Sequence, residues 1–489
     1  MAQEKIKQNR HPRHVLDARR ARIVCTLGPV TTSPDMVEKL MRAGMDAARL
    51  NFSHGSPEEH TARVVAVRRA SGILSQPVAI IADLQGPKIR TGSLPGHVPV
   101  LLEPGNRFTI TTRNLPGTGE LVSTSFQSLP RAVKAGGRIL LSDGEIELQV
   151  RSVRGKDVIC EVVIGGLLNE HQGINLPGAN LDVPAFTPKD RRDLALALKL
   201  EVNYVAISFV RRAADVREVK AAIRRAGKDT PVIAKLERPE ALDYLDEILA
   251  VADGVMVARG DLGVELSPEK VPVAQKHIIA RARDFRVPVI TATQMLDSMK
   301  KNPRPTRAEA SDVANAIFDG SDAVMLSGET AIGRYPLEAV RMMGRIILEA
   351  EKSVVFPPQP IRMTDMRVNE TVAELVCHAA DELRMKAIAV FTESGSSARL
   401  VSKYRPRVPI VAFSPDYETR RRISLFWGVL PRTIAAVRNI DSLAKLAERR
   451  LLEERYVRRG DIIGIVAGTP IGVRGTTNFM KLHVIGSGN

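Results

Sequence analysis

The chain has 489 residues, 44% of them hydrophobic and 26% charged, with 71 Lys+Arg against 55 Asp+Glu and a net charge of +16. That length supports two to four domains with large cores, and the apolar-to-charged balance is that of a soluble globular protein. Aromatic residues make up only 4% and the basic residues are spread along the chain, so no stacking platform for nucleic acid is expected. The charge reads as solvated helix faces plus phosphate sites.

Cys25, Cys160 and Cys377 show no metal-ligand spacing and lie in apolar runs, which fits a reducing cytoplasm. The N-terminus, EKIKQNRHPRH, is polar and basic, so no signal peptide is read there. No apolar run reaches the length of a membrane span, and no membrane partner is expected.

Residues 1–20 read as a basic lead-in. From Arg22 an alternation begins. ARIVCTLG is a strand, and SPDMVEKLMRAG is a helix with a serine cap and a glycine stop. AARLNFS, a helix over SPEEHTARVVAVRRASG, and VAIIADL follow; the last ends at Asp83 before QGPKIRTG. Residues 92–186 break the pattern. Short alternating runs such as RFTITT, GRILLSDGEIELQV and DVICEVVI predict hairpins of a separate all-β insert. The alternation then resumes, with helices expected near 188–200, 213–226, 239–249, 268–285 and 306–318 and over PLEAVRMMGRIILEAEKS. Strands are expected at NYVAISFV, PVIAKLE, GVMVARG, VPVITATQM and DAVMLSGE. Eight strands alternating with eight helices predict a (β/α)₈ barrel over 21–91 and 187–355, interrupted after strand three. FPPQP reads as a linker. Residues 356–489 alternate again and predict a smaller α/β domain with an open sheet.

In such barrels the chemistry lies at the C-terminal strand ends. Arg49, Asn51, Ser53, Asp83, Lys235, Glu237, Asp261, Thr293 and Ser327 all fall there. Lys235 and Glu237, two apart on a strand, point to the same side. Asp261 follows Gly260, where backbone N–H groups can turn toward an anion. A lysine, two carboxylates and a glycine turn suit a phosphorylated substrate bridged by Mg²⁺. In the C-terminal region the loop TESGSSA joins a strand to a helix, where N–H groups and hydroxyls can hold a phosphate.

The stretches IVCTLGP, AARLNFSHG, GPKIRTG, GINLPG, IAKLE, VMVARGDLG, TATQMLDSM, PRPTRAEASDVANAIFDGSDAVMLSGETA and YPLEAVRMM resemble the pyruvate kinases. The resemblance implies phosphoryl transfer from phosphoenolpyruvate to ADP, giving pyruvate and ATP, the last step of glycolysis. It also implies a β lid after strand three, a C-terminal regulatory domain and a homotetramer. By that resemblance Glu237 and Asp261 are Mg²⁺ (or Mn²⁺) ligands, and Lys235 stabilises the phosphoryl group in flight. Arg49 binds the substrate phosphate; Gly260, the Asp261 backbone and Thr293 bind the substrate carboxylate. Asn51, Ser53, His54 and Arg90 contact the nucleotide. Asn51, Ser53, Asp83 and the carbonyl of Leu84 match the family's monovalent-cation site. Thr293, with a water, is the expected source of the proton that converts the enolate to pyruvate.

Three departures carry further expectations. Gln172 stands where many members have a lysine near the nucleotide phosphates. Lys88 stands where K⁺-dependent members have a glutamate, and Leu84-Gln85 where they commonly have Thr-Lys. A lysine ammonium reaching the oxygens of Asn51, Ser53 and Asp83 would replace the K⁺ charge, so K⁺ is not required. Thr392, Ser394, Gly395 and Ser397 match the effector loop. There Glu393 replaces the lysine of members activated by a sugar bisphosphate, which predicts activation by a sugar monophosphate or AMP.

Overall fold

The computed structural model describes residues 19–179, 183–353, 367–435, 439–471 and 475–487. The lead-in up to residue 18 and the linker FPPQP lie outside the described residues.

Eight strands close a parallel barrel. In chain order they are β1 (Arg22–Leu27), β2 (Ala47–Asn51), β3 (Ala79–Asp83), β4 (Tyr204–Ile207), β5 (Val232–Leu236), β6 (Gly254–Ala258), β7 (Val289–Ala292) and β8 (Ala323–Leu326). Each pairs with the next, and β8 closes on β1 in the register Arg22↔Ala323. β3 and β4 pair directly, Ala82↔Val205, although 120 residues separate their facing ends. The insert therefore leaves the barrel and returns to it without disturbing the closure.

Strand parity decides which side chains enter the barrel. Val24, Ala47, Ala79, Ile81, Ala206, Ile233, Met256 and Met325 pack together inside it. Their neighbours Ile23, Cys25, Ala48, Ile80, Val205, Ala234 and Val257 pack outward in the large core that includes the helices. Continuing these inward rows by two residues reaches Thr26, Arg49, Asp83, Ser208, Lys235 and Ser327, with Ala258 on β6 the apolar exception. The apolar interior thus ends in a polar top layer at the C-terminal face.

The opposite face is plugged. Leu425 of the C-terminal region joins the interior cluster, and the Tyr204 hydroxyl donates to the Arg422 carbonyl at 3.0 Å. Asp322, just before β8, accepts Lys403 Nζ at 2.7 Å and pairs with Arg405 at 2.9 Å. All three are buried. Burial and the neighbouring Arg405 push the Lys403 amine down to about 8 against the pull of Asp322, so one carboxylate carries two desolvated cations at this junction.

The insert has its own core around Phe108, Ile110, Leu148 and Val150. It carries a six-stranded sheet and a two-stranded pair. Its two connecting arms lie side by side: Thr91 N donates to Gln172 O, Ile174 N donates to Ile89 O, both at 2.9 Å, and Arg90 faces Gly173.

The C-terminal sheet holds β9 (Ala387–Phe391), β10 (Ile410–Ser414), β11 (Val429–Thr433), β12 (Ile462–Gly468) and β13 (Thr477–Val484), in the order β11-β10-β9-β12-β13. Only the β12–β13 pairing in it is antiparallel. Apolar clusters cover both faces.

The elements differ from expectation in three places. The helix expected near 239–249 is two short helices, Glu240–Asp243 and Leu245–Leu249, broken at Tyr244, whose ring lies under the Arg212 guanidinium at 4.7 Å. β11 carries Pro431 and so does not read as a strand, but it is an edge strand, where proline is tolerated. The expected glycine turn after β6 is instead an eight-residue helix, Arg259–Leu266. Gly260 and Gly263 lower its intrinsic propensity, which hides it from a periodicity reading.

Candidate active site

The polar top layer is tied together by Asp83. Its carboxylate pairs with Arg49 Nε at 2.6 Å and with Lys235 Nζ at 3.2 Å. Arg49 also donates to the Thr26 hydroxyl at 3.1 Å. Lys235 reaches Glu237 at 2.8 Å and donates to Ser208 Oγ at 2.7 Å. Burial alone would push the Lys235 ammonium down; Asp83 and Glu237 reverse this and raise it. Burial works against ionised Asp83, yet Lys235 and Arg49 hold its carboxyl below the usual range. Both groups are charged at neutral pH. Lys235 is a fixed cation, hydrogen-bonded to Ser208 and ion-paired with Glu237 and Asp83.

Glu237 sits just past β5, almost fully buried. Its second oxygen accepts the Phe209 N–H at 2.9 Å. Burial pushes this carboxyl up against the pull of Lys235, and the charge of Asp261 pushes it further. Two carboxylates within electrostatic reach, one of them held up by the other, form a place for a cation.

Asp261 lies in the first turn of the Arg259–Leu266 helix. The first N–H groups of a helix lack intrahelical acceptors and favour anions. Gly260 N donates to Thr293 Oγ1 at 2.7 Å. Thr293 and Gln294 have φ of 70° and 53°, a left-handed conformation that costs energy in non-glycine residues. Arg259 holds it, with Nη2 on the Thr293 carbonyl at 2.8 Å and Nη1 on Asp312 at 2.6 Å.

The matches to known proteins now bear on this geometry. Residues 18–340 match the family model described as pyruvate kinase, barrel domain, and residues 370–483 match pyruvate kinase, alpha/beta domain. Pyruvate kinases of Staphylococcus aureus, among them those of strains MRSA252 and NCTC 8325, are 45% identical over 473 residues, covering 96% of this chain and 81% of theirs. The crystal structure of a pyruvate kinase from Cryptosporidium parvum superposes with a TM-score of 0.91 at 36% identity, covering 96% of this chain and 97% of that one. The chain belongs to the pyruvate kinase family. It is accordingly a phosphotransferase, with phosphoenolpyruvate, ADP, ATP and pyruvate as its substrates and products and Mg²⁺ as the family's metal.

Beside the polar top layer, the segment Asn51–His54 forms a turn. Asn51 Oδ1 accepts the Ser53 N–H at 3.2 Å. Burial lowers the His54 imidazole, and Lys88, Arg90, Arg49 and Lys189 lower it further. His54 is therefore neutral in a field made by four cations. Arg90 donates to the His171 carbonyl across the lid arms at 3.4 Å.

Lys88 is placed differently from the expectation. It is exposed, and its amine makes no hydrogen bond or ion pair with Asn51, Ser53 or Asp83 among the described residues. Desolvation lowers its amine, Lys235 and Arg90 lower it further, and Asp261 and Glu237 pull the other way. Arg49 holds Asp83 Oδ2 and Lys235 faces Oδ1 at 3.2 Å, while the Lys88 side chain lies in the field of the carboxylate pair. The Leu84 carbonyl accepts the Ser208 hydroxyl at 2.8 Å.

In the C-terminal region Gly395 N donates to Thr392 Oγ1 at 2.9 Å, opening the Ser396–Lys403 helix. Gly395 has φ 87°, and a Cβ there would meet Ile423 at 2.7 Å, so only glycine fits. Ser397 Oγ already lies 2.5 Å from Thr477 Oγ1. The surrounding cavity adds Ser396 and Thr476 to the expected Thr392, Ser394 and Ser397.

Sequence reasoning missed Ser208, Thr26 and Arg259. The inward parity of β1 and β4 would have found the first two. Nothing local marks Arg259 as the clamp on Thr293.

Proposed function

We propose that this chain transfers the phosphoryl group of phosphoenolpyruvate to ADP at the top of the barrel, with Lys235 as the cation facing the group in transit. The observation that carries the assignment is the Lys235 ammonium, fixed between Asp83, Glu237 and Ser208 at the barrel axis. Phosphoryl transfer needs positioning and positive charge more than a protein nucleophile, and Arg49 supplies a second charge from the same layer. Glu237 and Asp261 would hold Mg²⁺ or Mn²⁺. No cluster of three or more metal-binding side chains occurs among the described residues, and Mg²⁺ needs none, since it is held by one or two carboxylates plus substrate oxygens and water. When bound, the metal neutralises charge on the substrate oxygens. Gly260, the Asp261 backbone and Thr293 would take the substrate carboxylate at the helix N-terminus, and Thr293 with a water would deliver the proton to the enolate. Asn51, Ser53, His54 and Arg90 would face the nucleotide. The Gln172 backbone is used in pairing the lid arms, which leaves its side chain as a neutral substitute for the lysine of other members.

The division into a barrel (21–91 and 187–355), a lid (92–186) and a regulatory domain (356–489) belongs to this reading, as do a homotetramer and a cytoplasmic location. No helix among the described residues is long and apolar enough to cross a membrane.

K⁺-independence is part of the same reading, on revised grounds. Asp83 Oδ2, Leu84 O and Asn51 Oδ1 each accept a hydrogen bond, the Lys235 ammonium faces Asp83 Oδ1, and Lys88 adds a charge nearby. Turnover in Tris or tetramethylammonium buffer is expected to match turnover with added K⁺, and Lys88→Glu to lower it and create a K⁺ response. A large K⁺ activation of the unmodified enzyme would contradict this.

The effector is a sugar monophosphate or AMP. Among the described residues the cavity at Thr392, Ser394 and Ser397 is lined by hydroxyls, Glu393 and apolar side chains such as Phe391, Phe413 and Leu443, without lysine or arginine. One phosphate can be held by N–H groups and hydroxyls, whereas a second would meet the Glu393 carboxylate. Ribose 5-phosphate, glucose 6-phosphate or AMP should activate more strongly than fructose 1,6-bisphosphate. A selective response to the bisphosphate would sink this assignment.

A further inference from the structure

Arg238 is among the largest fully buried side chains of the chain, 2% exposed, and directly follows Glu237. Its guanidinium serves three parts of the molecule at once. Nη1 donates to Glu265 Oε1 at 2.8 Å. Nη2 donates to the Ala179 carbonyl at 3.3 Å. Nε and Nη2 reach Glu240 at 3.3 and 3.1 Å. Glu265 lies on the Arg259–Leu266 helix, four residues after Asp261, and also accepts Asn175 Nδ2 at 3.3 Å. Asn175 belongs to the lid sheet, where it faces Leu140. Arg211 holds the same returning arm further on, donating to the Val183 carbonyl at 2.7 Å.

We infer that Arg238 is a positioning residue for phosphoryl transfer: it fixes the end of β5 bearing Glu237, the helix bearing Asp261 and the returning arm of the lid as one rigid unit. This rests on the assignment of Glu237 and Asp261 as metal ligands. A buried ion pair is a poor way to stabilise a fold, since apolar side chains of similar volume often do as well. A planar fork with five donors, however, can hold three separate chain segments at fixed angles, which an apolar group cannot do. The two carboxylates come from different elements, and Arg238–Glu265 is a direct bond between those elements behind the site. A displacement of about 1 Å at a reacting group is worth on the order of a hundredfold in rate, so loss of this bond should appear in metal binding and turnover.

The test uses the full-length enzyme and four variants: Arg238→Met, Arg238→Lys, Arg238→Met/Glu265→Leu and Asp261→Asn. Mn²⁺ affinity is measured by calorimetry without substrates, hydrogen exchange over 174–179 by mass spectrometry, and kcat and Tm alongside. Arg238→Met should weaken Mn²⁺ binding about tenfold, lower kcat by about ten- to a hundredfold and speed exchange over 174–179. Arg238→Lys, which keeps the charge but loses the fork, should recover Tm more than kcat. The double variant removes both buried charges and should regain Tm without regaining Mn²⁺ affinity or kcat. Recovery of all three in the double variant would make the pair purely structural and overturn the inference. So would normal Mn²⁺ binding in Arg238→Met while Asp261→Asn binds weakly. Unchanged Mn²⁺ binding in Asp261→Asn would remove the metal assignment, and this inference with it.

Discussion

Replacing Lys235 with Met should lower kcat on the order of a hundredfold or more, the loss typical of a charge aimed at a transition state, while phosphoenolpyruvate affinity changes little. The ammonium is held by Asp83 at 3.2 Å, Glu237 at 2.8 Å and Ser208 at 2.7 Å, so it does not need to move as charge develops on the phosphoryl group. A preorganised cation of this kind acts mainly in the transition state. Ground-state binding of the phosphate retains Arg49, itself fixed on Asp83. Loss should therefore fall on kcat and kcat/KM together, not on KM alone. Lys235→Arg should recover part of the charge but not the geometry, because the site between Asp83 and Ser208 is too buried for a fork. Near-normal turnover of Lys235→Met would show that the role assigned to this side chain is wrong.

The second large effect concerns the carboxylate pair. Glu237→Gln and Asp261→Asn should each raise the Mg²⁺ concentration needed for half-maximal activity sharply and depress the maximum. Each replaces an anionic oxygen by a neutral amide, and Mg²⁺ prefers carboxylate and phosphate oxygens. The two substitutions should differ in stability. Asp261 is only partly buried and sits in the first turn of its helix. Glu237 balances the buried Lys235 and accepts the Phe209 N–H, so Glu237→Gln should also lower Tm. Unchanged Mg²⁺ titrations in both variants would refute the pair as metal ligands.

Much of this was legible in the sequence because it follows from the period of two along a strand. Lys235, Asp83 and Arg49 lie on the inward rows that begin with Ile233, Ile81 and Ala47, and that row ends at the functional face. The alternation of strands and helices likewise gave the barrel, the insert and the second sheet. What was not legible depends on contacts between distant segments. The left-handed Thr293 is set by Arg259 from another strand end, and no local residue pattern demands it. The Arg259–Leu266 helix is short and glycine-bearing, so its fold comes from packing at the barrel mouth. The strand around Pro431 is masked in the sequence by its proline, which an edge position tolerates. Arg238 reads in sequence as one more charge after Lys235 and Glu237; only the structure brings Ala179, Glu240 and Glu265 around it. Lys88 is a different case: its sequence context points to Asp83, whose Oδ2 is held by Arg49 and whose Oδ1 faces Lys235.

The most direct measurement is product stoichiometry from purified enzyme supplied with phosphoenolpyruvate and ADP in K⁺-free buffer, with Mg²⁺ and with a chelator. Equimolar ATP and pyruvate with Mg²⁺, and neither with the chelator, is the result expected if Lys235 works beside a metal held by Glu237 and Asp261. Pyruvate without ATP, or unchanged ATP formation in the chelator, would contradict it.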